Sequence, residues 1–95
     1  LAVLDSFFAD RDYSKVMLAL ARTREKLSHQ RFVPPVWIAI AYNRAGHYED
    51  AIRWLERGLQ IHDQDVPYVF IMHEFEHLRQ DERFAKIAQK VGVPL

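Results

Sequence analysis

The stretch His73-Glu74-Phe75-Glu76-His77 holds the residue types and spacing that could do chemistry. It fits the pattern histidine-glutamate-x-x-histidine. On an α-helix, residues i and i+4 share a face, so His73 and His77 could hold one zinc ion while Glu74 activates a water. A catalytic zinc needs a third protein ligand. The longer form of the motif puts a glycine and then a histidine soon after, where Gln80 and Arg83 stand. The form with a carboxylate ligand draws it from a later helix. Only residues 78–95 follow His77, and Asp81 and Glu82 lie too close in sequence to fold back easily. No upstream strand pattern exists to hold a peptide substrate. His73 and His77 are therefore weak metal candidates, and a zinc metallohydrolase is kept only as an alternative.

Other chemistry is scarce. The absence of cysteine removes disulfides and thiolate metal sites. Ser6, Ser14 and Ser28 lack any nucleophile-elbow context. The glycines are too widely spaced for a phosphate loop. His29, His47 and His62 fall at helix ends or loops and read as surface residues. No catalytic residue and no cofactor is expected. Thirteen basic and 13 acidic side chains give zero net charge, which argues against a nucleic-acid binder, although a local basic patch is compatible with it. No apolar run approaches the roughly 20 residues of a membrane span. The 95 residues, 49% hydrophobic, fit one small folded domain.

The elements that must position these residues read as helices throughout. Asp10-Arg11-Asp12 is a polar turn whose Asp12 can cap the next helix. Tyr13, Val16, Met17, Leu20 and Leu27 form one stripe of a helix reaching about Ser28. Upstream, residues 1–9 read as the last turns of another helix, with Phe7 and Phe8 in its core. Residues 36–59 read as two antiparallel helices turning at Gly46. Pro34 and Pro35 start the first, since first-turn amides have no intrahelical acceptor. Small Ala39, Ala51 and Gly58 mark close approach. Tyr68-Val69-Phe70-Ile71-Met72 is too continuous to assign a face and reads as a short buried helix. Asp81 caps a last helix carrying Phe84, Ile87, Ala88 and Val91, which Gly92 ends and Pro94 stops.

Residues 32–65 resemble one tetratricopeptide repeat, a helix-turn-helix unit of about 34 residues. Ile38, Ala39, Tyr42, Ala51, Leu55 and Gly58 take the family's marked positions, and Gly46-His47-Tyr48-Glu49-Asp50-Ala51-Ile52 matches its turn. Pro35 stands at the usual tryptophan position and Asp63 at the closing proline. Residues 1–30 resemble the end of a truncated repeat, and residues 66–95 degenerate capping helices. The ending, Leu78-Arg79 through Asp81-Glu82-Arg83-Phe84 to Gly92-Val93-Pro94, is similar to that of many bacterial tetratricopeptide proteins. There the module follows a nucleotide cyclase, kinase or ToxR-like winged-helix domain. The chain begins at Leu1 rather than methionine, and a longer parent is expected.

The resemblance implies an all-α fold, a short right-handed solenoid of about five or six helices in antiparallel pairs. It implies a non-enzymatic, cytoplasmic module that binds a protein or peptide within a bacterial regulatory protein. A structural spacer with no external ligand is the other alternative. The positions matching the family's concave lining are Val33, Val36, Trp37, Ile40, Asn43 and Arg44. Val36 and Ile40 are unusually apolar for an open groove. Missing repeats, a homodimer or a partner helix would each cover them. Trp37 and Trp54 read first as packing residues and second as interface anchors. The lysine–asparagine carboxylate clamp of chaperone-binding relatives is absent from these positions, so that ligand is not expected.

Overall fold

The computed structural model describes residues 11–93, with side chains from Tyr13 onward. The expectations for residues 1–9, for Asp10, for the Asp12 cap and for Pro94 lie outside the described residues and side chains. Four α-helices follow one another: α1 (Arg11–Leu27), α2 (Pro35–Arg44), α3 (Tyr48–Gln60) and α4 (Glu82–Val91). Two 3-10 turns, Val66–Phe70 and His73–Leu78, separate α3 from α4. Among the described residues there is no strand. Arg11 and Asp12 are already helical rather than a turn.

The central element is α2. Pro35, Val36, Ile38, Ala39, Ala41, Tyr42 and Asn43 are all buried, on both of its flanks. One flank joins Ile38, Ala41, Tyr42 and Ala45 to Met17 and Ala21 of α1 and Ala51 of α3. The other joins Val36 and Ala39 to Ile52 and Leu55 of α3, to Val66, Val69, Phe70, Phe75 and Leu78 of the turns, and to Phe84, Ile87 and Ala88 of α4. Phe84 lies 4.8 Å from the ring of Phe70 and stacks on Phe75 at 6.4 Å.

Local chemistry closes each helix. Gly46, with φ of 81°, ends α2: Gly46 N–H donates to the Asn43 carbonyl and His47 N–H to that of Tyr42. The same paired closure recurs at Gly92, φ of 91°, where Gly92 N–H reaches Gln89 and Val93 N–H reaches Ala88. After α3 it is built on a non-glycine, His62 with φ of 59°, and Asp63 N–H donates to the Gly58 carbonyl. Asp63 ties the exit of α3 to the start of α2. Its Oδ2 accepts the Val36 amide at 3.1 Å, and its Oδ1 accepts the Asp65 amide at 3.0 Å. Because Pro34 and Pro35 have no N–H, Val36 offers the first amide of α2, and a residue beyond α3 caps it. Gly58 permits this meeting: a Cβ there would sit 3.0 Å from Val66 Cγ2 and 3.6 Å from Pro35 Cβ. Asp81 caps α4 by accepting from the Arg83 amide at 2.8 Å, as the sequence predicts. Arg83 then forks onto Glu49 at 2.7 Å through both terminal nitrogens, tying α4 to the start of α3.

Candidate interaction face

The six residues expected to line an open face divide into two sets. Trp37, Ile40 and Arg44 stand at i, i+3 and i+7 and form the accessible stripe of α2. Trp37 is 50% exposed, Arg44 is exposed and Ile40 is partly buried. Val33, Val36 and Asn43 are instead buried, which corrects their placement on an open surface. Val36 is 2% exposed and packs within the cluster that includes Val66 and Val69. Its covering comes from the chain's own first 3-10 turn. Val33 packs with Met17 and Ile38 under α1. Asn43, 5% exposed, donates from Nδ2 to the Glu74 carbonyl at 2.9 Å and joins α2 to the second 3-10 turn. Its Oδ1 is buried without a partner.

Charged groups border the stripe at both ends. Arg44 pairs with Glu74 through two bonds, Nε to Oε1 at 2.9 Å and Nη2 to Oε2 at 3.1 Å. The pairing holds the Arg44 guanidinium above its ordinary pKa. At the other end Arg24 of α1 donates from Nη1 to the Trp37 carbonyl at 2.7 Å. Desolvation, and next the nearby Arg44 charge, push Arg24 below its ordinary value. Ile71, 80% exposed, stands 34 residues after Trp37 (71 against 37) and gives the adjoining turn an apolar projection of its own.

The histidine pair sits on a different backbone from the one its motif requires. Residues His73–Leu78 form a 3-10 turn. With three residues per turn, i and i+4 point about 120° apart rather than sharing a face. His73, its side chain 95% exposed, pairs with Glu76 at 3.0 Å. His77 packs its ring 4.4 Å from that of Tyr48, and Glu74 is occupied by Arg44. Among the described residues no group of three or more histidine, aspartate, glutamate or cysteine side chains could hold a metal ion. Nor is any described helix long and apolar enough to cross a membrane.

One polar centre escaped sequence reasoning. Glu25 Oε1 accepts both the Tyr42 hydroxyl, at 2.9 Å, and the Trp54 indole N–H, at 3.2 Å. A single carboxylate oxygen thus joins α1, α2 and α3. Burial, and then the bond to Glu25, push the Tyr42 hydroxyl up to about 12. Its three members are far apart in sequence, and no local pattern announces them. Trp54 packs against both core clusters and leaves part of its surface open. Comparison of the chain with protein-family models, with curated proteins and with solved structures returns no match.

Proposed function

We propose that this chain is a non-enzymatic protein-interaction module, a tetratricopeptide-like stack that serves a larger bacterial regulatory protein in the cytoplasm. The observation carrying this reading is the open stripe of α2. A buried central helix leaves accessible only Trp37, Ile40 and Arg44, an aromatic, an aliphatic and a charge in register. Tryptophan and arginine are the side chains over-represented among interface hot spots. Ile71 repeats the apolar projection one unit later, as a stacked repeat would. The partner is a protein or peptide laid across this stripe, and a second copy of the chain is one such partner.

A peptide library displayed on phage tests it, with the chain as bait. Selected peptides should bind the wild type and lose at least about tenfold in affinity on Trp37→Ala, the size expected when a hot-spot side chain is truncated. Enrichment of no sequence, or peptides indifferent to Trp37→Ala and Arg44→Ala, would overturn the reading in favour of a spacer. Stoichiometric zinc in untagged protein, lost in His73→Ala and His77→Ala, would favour the hydrolase instead.

A further inference from the structure

A second surface lies where α1 and α3 meet through the Glu25–Trp54 hydrogen bond. Glu25 accepts the Trp54 indole N–H and holds its edge in place, and Leu18, seven residues before Glu25 on α1, packs with Trp54 on the same core cluster. A shallow notch of about 220 Å³ opens over the indole between Arg53 and Arg57. On the facing helix Arg22 and Lys26 follow Leu18 at i+4 and i+8 and are exposed. Arg22 is close enough for its charge to act on the Tyr42 hydroxyl.

The charges here do not balance internally. Arg22 and Lys26 make no ion pair among the described residues, and Arg57 reaches only the neutral amide of Gln60 at 3.4 Å. Arg53 is paired with Asp50 at 2.6 Å. The two carboxylates in the groove are both engaged, Glu25 by two donors and Asp50 by Arg53. Elsewhere Arg83 takes Glu49 and Asp81, Arg44 takes Glu74, and backbone amides take Asp63. The donors to Glu25 are neutral and leave its charge in place, and Asp50 offsets Arg53, so Arg22, Lys26 and Arg57 against Glu25 still leave this surface net basic around one aromatic notch.

We propose that this groove docks an acidic segment of a partner protein, with an apolar side chain seated in the Trp54 notch and carboxylates beside Arg22, Lys26 and Arg57. Guanidinium groups take carboxylates through paired, planar hydrogen bonds. A peptide can space its carboxylates to avoid Glu25 and Asp50. A nucleic-acid backbone, charged at every nucleotide, would have to run past both. This site stands apart from the α2 stripe.

The two tryptophans separate the two surfaces experimentally. In nitrogen-15-labelled protein each contributes one indole N–H signal, assigned by Trp37→Phe. A short synthetic peptide of alternating glutamate and leucine should shift the Trp54 signal and leave that of Trp37 in place. The lysine–leucine counterpart should shift neither. Arg22→Glu with Arg57→Glu should weaken binding by at least about tenfold, as loss and reversal of paired charges does. Arg22→Lys with Arg57→Lys, which keeps the charge and removes the planar fork, should bind between the wild type and the charge-reversed pair. Circular dichroism checks that each variant stays helical; if the first pair unfolds, Lys26→Glu with Arg53→Glu replaces it. The proposal fails if millimolar acidic peptide leaves the Trp54 signal unmoved, or if folded charge-reversed protein binds equally well. It also fails if a thymidine oligonucleotide binds the groove more tightly than the peptide. Loss of peptide response at Trp54 would leave the α2 stripe untouched, and the reverse also holds.

Discussion

Two stretches of the chain follow the same plan and end differently. α2 (Pro35–Arg44) and the paired turns from Val66 to Leu78 both run beside α3, both start near a proline and both bury large apolar side chains. α2 is a continuous helix, whereas the later stretch breaks into two 3-10 turns. The buried residues are arranged differently. α2 is covered on two flanks, and its buried positions are nearly continuous. The later stretch buries Val66, Val69 and Phe70, then Phe75 and Leu78, in two short groups separated by exposed Ile71 and His73. Its run of valine, tyrosine, phenylalanine and isoleucine also has weak helix propensity. α4, covered on one side only, is nonetheless a regular helix, with a side-chain cap from Asp81 at its start that neither turn has.

This contrast predicts where substitutions hurt. Val36→Glu, on the covered flank of α2, should destabilise by about 3–5 kcal/mol in chemical denaturation, the penalty of a buried unpaired charge. Trp37→Glu, one residue along on the open stripe, should cost about 1 kcal/mol or less. Equal effects would show that the stripe is buried in solution, as in a dimer. Phe75→Ala tests the stretch of paired turns. If it belongs to the same cooperative core, removing this ring costs about 3–5 kcal/mol. A loss well below that would mean the turns open independently of α2.

A smaller effect concerns pH. Tyr42 is raised to about 12 from an ordinary 10.0, so the folded state holds its proton more tightly than the unfolded state. Its contribution is complete below pH 10 and is lost as pH rises toward 12. Tyr42→Phe should therefore flatten the fall in stability across that window, measured by thermal melts at stepped alkaline pH. The smallest expected change is a gain. His62→Gly should stabilise by about 0.5–1 kcal/mol, the left-handed strain relieved less the backbone entropy glycine loses. No gain in melting temperature would mean His62 makes compensating contacts in solution.

The regular parts of the fold were legible because their signals are local. Gly46 announces its turn, Asp81 and Gly92 bracket α4, and apolar spacing finds α1, α2 and α3. The open stripe was half legible. The family resemblance marks Trp37, Ile40 and Arg44 together with Val33, Val36 and Asn43, but what covers the last three is distant in sequence: α1 over Val33, and the turns after α3 over Val36 and Asn43. The histidine motif, a weak candidate on sequence grounds for want of a third ligand, presumes an α-helix, and His73–Leu78 is a 3-10 turn that buries Phe75 and Leu78. The Glu25 centre joins residues distant in sequence and leaves no trace in spacing.

The Asp63 carboxylate, which reaches from the exit of α3 to the first amide of α2, bears on the order of assembly. It closes a loop confined to the α2–α3 pair, and short loops close at little entropic expense. We expect this pair to form before α1 or α4 docks, with contacts local enough for rapid folding. The Val36 amide, bonded only to that carboxylate, is the natural reporter. In native-state hydrogen exchange it should open only with the whole molecule, and in Asp63→Ala, which leaves no acceptor, it should exchange through local fraying of one helix end.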